Sequence, residues 1–178
     1  MEQHDDAPKR ARRDDKVGEL AIVGRTVLIN RSRQELFDFW RDFSNFPAFM
    51  KAVKSIDVVE GTRSVWTIKA PAGHTVTLET EIIAESPGES IAWRSLENSQ
   101  IKTRGEVRFT DAPAGRGTIV TAEIGYEPPG GDLGRLIAKL FASEPNIQAR
   151  HELKRFKMLM ETGEIATGAF SRLEEDDE

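Results

Sequence analysis

The run His74-Thr75-Val76-Thr77-Leu78-Glu79-Thr80-Glu81-Ile82-Ile83-Ala84 decides the fold. Val76, Leu78, Thr80 and Ile82 alternate with Thr75, Thr77, Glu79 and Glu81. A period of two puts one set on each face of a β-strand, so one face is buried and the other is wet. That pattern belongs to antiparallel sheets, because strands covered on both faces read as continuous apolar runs. On either side lie further strand-like segments at 53–60, 64–70, 90–96, 102–110 and 118–126. Short turns join them: Gly61-Thr62, Pro71-Ala72-Gly73, Ser86-Pro87-Gly88-Glu89 and the loop 111–117. Ile91 and Trp93 share a face, as do Gly105, Val107 and Phe109, and Val120, Ala122, Ile124 and Tyr126. Short connections of this kind predict a meander.

Upstream, a strand is expected at 22–29, followed by Ser32-Arg33-Gln34-Glu35, which reads as a capping box. Leu36, Phe37, Phe39, Trp40 and Phe43 predict a short helix that Ser44-Asn45-Phe46-Pro47 breaks, and a second short turn ends near Met50. Downstream, Pro128-Pro129-Gly130-Gly131 ends the sheet. Leu133, Leu136, Ile137, Leu140 and Phe141 form one helical stripe. Pro145 predicts a kink or restart, capped by Ser143, and Ile147, Ala149, Leu153, Phe156 and Met160 carry the stripe on to Gly163. The predicted class is α+β. A curved seven-stranded antiparallel sheet wraps a long C-terminal helix, and two short helices after the first strand plug one end.

The 178 residues are 38% apolar, 7% aromatic and 31% charged, which excludes a fully disordered chain and a membrane protein. There is no cysteine, so disulfides, thiolate metal sites and a cysteine nucleophile are excluded. The net charge of −5 divides into −1 over 1–20, +1 over 21–163 and −5 over 164–178. The body is close to neutral and shows no basic face for nucleic acid. One domain is expected over 21–163, between disordered tails at 1–20 and 164–178. The tail cluster Lys9-Arg10-Ala11-Arg12-Arg13 is flanked by acids and reads as a solvated arm. A hydrophilic start and no long apolar run predict a soluble, cytoplasmic protein.

Four segments carry a resemblance: Phe39-Trp40-Arg41-Asp42-Phe43-Ser44-Asn45-Phe46-Pro47, Ile91-Ala92-Trp93-Arg94-Ser95, Gly105-Glu106-Val107-Arg108-Phe109, and Phe156-Lys157 through Met160-Glu161-Thr162-Gly163-Glu164. With the loop Gly115-Arg116-Gly117-Thr118, their order and spacing resemble the helix-grip superfamily. That superfamily holds the START lipid-transfer domains, the birch-pollen-allergen-like proteins, and the polyketide cyclase/dehydrase and coenzyme-Q-binding-like proteins. The chain is most similar to the bacterial cyclase/dehydrase-like branch, over about residues 22–167. The resemblance implies a deep apolar cavity between sheet and helix, and no fixed chemistry.

The expected cavity lining is Phe43, Phe46, Phe49, Met50, Trp66, Trp93, Phe109, Tyr126, Leu133, Ile137, Leu140 and Phe141. For each of them, ordinary core packing is the competing reading. Met50 and the nearby Phe side chains suit a mobile lid. Gly134, Ala138 and Ala142 leave room on the helix. Tyr126, the only tyrosine, is placed to hydrogen-bond a ligand oxygen or a backbone carbonyl. His74 sits beside a turn and reads as a surface residue, and Glu79, Glu81 and Arg94 are expected to face solvent. His4, His74 and His151 have no metal-ligand spacing, and no cofactor is expected. No catalytic constellation or phosphate loop is present.

Three functions remain open. The first is binding of a small hydrophobic or amphipathic molecule, such as a lipid, isoprenoid or polyketide-like compound. The second is a cyclase/dehydrase-type enzyme using Tyr126 or His74, and the third is a partner-binding protein with a filled cavity. The cluster Arg150, Lys154, Arg155 and Lys157 reads as the solvated face of the long helix, with contact to an acidic membrane or partner as the alternative. The sheet edge at 53–60 is open to pairing in a homodimer.

Overall fold

A computed structural model describes residues 21–127, 131, 132, 135 and 145–165. Its strands are β1 (Ala21–Ile29), β2 (Val53–Glu60), β3 (Arg63–Lys69), β4 (Thr75–Ser86), β5 (Ser90–Ser95), β6 (Lys102–Asp111) and β7 (Thr118–Glu127). They form one antiparallel sheet in the order β1-β7-β6-β5-β4-β3-β2. Every strand after β1 pairs with its successor, and β1 closes against β7 from Ala21↔Tyr126 to Ile29↔Thr118. The sheet is curved, and the architecture is the α+β arrangement expected. Register shifts interrupt β2 and β4, where local irregularities bend a strand.

Helix α1 (Arg33–Arg41) and a 3-10 turn (Phe43–Ala48) follow β1, and helix α2 (Pro145–Thr162) ends the fold. Half of the expected capping box is present: the Ser32 hydroxyl accepts from the Glu35 N–H at 3.3 Å, while the Glu35 carboxylate turns to Arg31 instead. Asp42 starts the 3-10 turn by accepting from Ser44. Helix α2 is described from Pro145 onward. The residues that would show a kink or a restart there, with the expected cap Ser143, lie outside the described residues, as do Gly134, Ala138 and Ala142. Gly163, at φ 76°, stops α2 by donating its N–H to the Leu159 carbonyl.

Helix α2 is tied to the sheet as well as packed on it. Lys157 donates to the Leu28 carbonyl, Arg31 to the Glu161 carbonyl, and Arg155 to the Phe49 carbonyl at 2.7 Å. Of the basic cluster read as a solvated face, Arg155 and Lys157 thus cap backbone oxygens, because their long stems reach past the apolar stripe. Leu153 and Phe156 turn into the core. Among the described residues no helix is long and apolar enough to cross a membrane.

Candidate functional site

The core is densest where α1 and the 3-10 turn meet the sheet. Trp40 packs on Phe46, Phe49, Phe109 and Phe156 with ring centres 5.1–6.4 Å apart. Phe43 packs on Phe46, Trp66 and Trp93. Further along the same face the filling runs out. A cavity of about 190 Å³ opens between the sheet and α2. Its lining is Arg25, Trp40, Phe46, Phe49, Met50, Ala52, Val53, Trp66, Ile68, Leu78, Trp93, Ile101, Thr103, Ala122, Ile124, Tyr126, Glu152 and Leu153. An engineered cavity near 150 Å³ holds benzene, so this space suits a molecule of one or two rings.

Two features of the sequence make this space. The inward side chains of β6 change along the strand from Phe109 and Val107 to the smaller Gly105 and Thr103. Their β7 partners across the ladder are Val120, Ala122, Ile124 and Tyr126. Gly105 sits opposite Trp93, and a Cβ there would fall inside the Trp93 indole. The glycine lets the indole lie flat against β6, along the cavity wall.

Few polar groups interrupt the wall, and each has a distinct environment. Thr103 donates its hydroxyl to the Gly125 carbonyl at 2.9 Å, so it is already satisfied. The Glu152 carboxyl is pushed up from 4.5 to about 7 because burial penalises its charged form, against the opposing pull of the Arg155 charge. Near neutral pH it is therefore partly protonated and able to donate a hydrogen bond. Behind the wall, the Trp40 indole Nε1–H is shut off from solvent and finds no acceptor among the described residues. The contrast with Trp66 is direct, since that indole donates to the Thr80 hydroxyl at 3.0 Å.

The family model for polyketide cyclase / dehydrase and lipid transport matches residues 21–161. The chain belongs to this family. A crystal structure from Deinococcus radiodurans is 37% identical, covers 81% of this chain and all of that one, and superposes with a TM-score of 0.65. The Zhui aromatase/cyclase from a Streptomyces species is 12% identical over 83% of this chain and 99% of its own, with a TM-score of 0.61. A START superfamily protein from Mycobacterium smegmatis is 14% identical over 78% and 98%, with a TM-score of 0.60. At those two identities the likeness is one of fold. No curated protein matches the sequence.

The cyclase/dehydrase fold brings part of the expected lining together. Phe46, Phe49, Met50, Trp66, Trp93 and Tyr126 all border the cavity. Phe43 and Phe109 do not; they are buried in the ring cluster that stops the cavity at that end. Leu133, Ile137, Leu140 and Phe141 lie outside the described residues. Of the expected lid, Phe46 and Phe49 are core residues at 1% and 2% exposure, and Met50 alone is partly open. His74 is exposed on its turn, and Arg94 reaches Glu81 on the outer face of the sheet. Among the described residues no three metal-ligating side chains come together.

Glu152 and Trp40 are the residues that the sequence reading missed. Glu152 stands three residues after Ala149 and four before Phe156, within the apolar arc of its helix. An acid inside a stripe was the available signal. A second, more open groove of about 600 Å³ lies between the end of α1 and the β2–β3 hairpin. Of the charged groups in its wall, Arg41 pairs with Glu85, Asp38 accepts from Gln34 and Asp42 caps the 3-10 turn.

Proposed function

We propose that this protein binds a small apolar or amphipathic molecule in the cavity between the sheet and α2. The observation that carries the reading is the 190 Å³ space itself, walled by aromatic and aliphatic side chains with a few polar groups. Its size favours a ring compound, or the end of a longer lipid or isoprenoid, over a whole long-chain molecule. We take residues 21–163 as the binding unit and 1–20 and 164–178 as charged extensions. The test is native mass spectrometry of the purified protein, followed by solvent extraction of what it carries. A stoichiometric apolar compound supports the reading. An empty protein that also fails to take up naphthalene-sized probes in solution rejects it.

A second reading, a cyclase/dehydrase-type enzyme, is favoured by one observation. A carboxyl poised near pH 7 in an apolar space is suited to general acid–base work. In that reading Glu152 takes the place of the expected His74, which stands outside the cavity. Turnover of a polyketide-like substrate that is lost in Glu152→Gln, with binding retained, separates it from simple carriage.

A further inference from the structure

The open groove between the end of α1 and the β2–β3 hairpin carries more negative charge than its neighbours cancel. Asp38 and Asp42 border it from the α1 side, and Asp57 from β2. The partners of Asp38 and Asp42, Gln34 and Ser44, are neutral. Asp57 has no ion pair among the described residues. Arg41 is the one cation in the described wall, and Glu85 and the Gly61 carbonyl hold it. Ser64 on β3 adds a hydroxyl to the same wall. Three hydroxyl-bearing side chains are buried among the described residues. Thr80 accepts from the Trp66 indole, and Thr118 donates to the Arg31 carbonyl. Ser64, 5% exposed, makes no side-chain hydrogen bond with a described residue. A buried hydroxyl without a partner is costly, and native structures rarely tolerate one without a reason. It is not sealed in as the Trp40 Nε1–H is, so a molecule in the groove can reach it.

We propose that this groove is a second binding site, for a small organic cation: a protonated primary amine carried on a compact apolar body. The ammonium group has three N–H donors and no acceptor, which matches a wall of carboxylates with one free hydroxyl. It sits among Asp38, Asp42 and Asp57 and donates to the Ser64 oxygen. The apolar body lies on Ile56, Val58 and Ile82, where Val58 stands 47% exposed. At about 600 Å³ the groove falls within the size range of small-molecule sites. An anion would meet like charges there. A metal ion would lack ligands, since no three metal-ligating side chains come together among the described residues. No described residue lines both the groove and the cavity under α2, so the two sites stand or fall separately.

The test uses the full chain at neutral pH and three probes of one shape: phenethylamine, phenethyl alcohol and phenethyltrimethylammonium. The amine should bind about tenfold more tightly than the alcohol at low ionic strength, the worth of one partly screened, charge-assisted hydrogen bond. The trimethylated cation keeps the charge but has no N–H, and should fall between the two. Added salt at about 0.5 M should weaken the amine several-fold and leave the alcohol unchanged. Asp57→Asn and Ser64→Ala, both small changes to the wall, should each weaken the amine by about threefold or more. Naphthalene, directed to the cavity, should not displace it. Equal affinity for amine and alcohol, an amine unaffected by both substitutions, displacement of the amine by naphthalene, or no amine binding at millimolar concentration overturns the inference and leaves the cavity reading standing. Binding of a tetralysine peptide where the amine fails overturns it in favour of a protein partner.

Discussion

The two ends of the inner sheet face share strands β6 and β7 and end in opposite ways. At one end Phe109 and Val120 face each other across β6 and β7, and the α1 rings Phe37 and Trp40 pack on Phe109. At the other end Thr103 faces Tyr126, Gly105 faces Ile124, and the space stays open. The β6–β7 ladder runs unbroken through both ends. The difference is side-chain volume along one strand, together with an acid where α2 crosses the void. A cavity in this fold is thus made by subtraction at a few positions and needs no separate architecture.

The largest expected effect lies at the filled end. Phe156 is fully buried, with Trp40, Phe49 and Phe39 around it. Phe156→Ala should cost about 3–5 kcal/mol, from lost transfer energy and the new void. Ile124→Ala, at the open end, removes a half-buried side chain beside space that already exists, and should cost about 1–2 kcal/mol. Urea unfolding of both variants checks the contrast, and equal losses would mean that the two ends are packed alike.

Gly105→Ala comes next. The added methyl would displace the Trp93 indole, with an expected loss of about 1–3 kcal/mol from overpacking. The displaced ring should also shrink the cavity, so probe uptake should fall more steeply than stability. Thermal unfolding and probe binding on one sample separate the two effects. Unchanged Trp93 fluorescence would show that the ring does not depend on the glycine.

Glu152 sharpens the comparison through pH. Its folded-state value lies above its unfolded one, so the protonated form is favoured by folding. The resulting stability is present below about pH 4.5 and is lost as pH rises towards 7. Glu152→Leu removes that loss. It should leave stability nearly unchanged near pH 4.5 and raise it by on the order of 1–2 kcal/mol at pH 8, after allowing for partial exposure. Denaturant midpoints at the two pH values test the sign. A variant less stable than the parent at pH 8 would show that the carboxylate is held by favourable partners.

Much of this contrast was legible in the sequence, but only across the strands and not along them. Strict alternation in 75–82 fixes which residues face inward, and every expected strand lies within about two residues of its observed bounds. Alternation carries no information on where along a strand the filling stops. That depends on register, such as Thr103 opposite Tyr126, and on which ring packs on which. Phe43 and Phe109 therefore read as lining when they are packing. Glu152 lies within the apolar arc of its helix, and helical spacing alone does not tell a buried acid from a solvated one. The orphaned Trp40 donor had no sequence signal, since Trp66, the same residue type with its partner Thr80, looks identical in one dimension.

The outer face of the sheet provides the smallest effect and the control for all the others. Arg94 on β5 and Glu81 on β4 are cross-strand partners, with an Arg94 guanidinium nitrogen 2.9 Å from a Glu81 oxygen. The Arg94 side chain is 61% exposed, so water and salt screen most of the attraction. A double-mutant cycle of Arg94→Ala with Glu81→Ala should return a coupling of about 0.2–1 kcal/mol, smaller still in high salt. Neither variant should alter probe uptake, because the pair stands across the sheet from the cavity and its alternation phase is the opposite one. A change in uptake would mean that the strands transmit strain through the ladder, and that the open end is held open by the sheet's curvature as well as by the residues that line it.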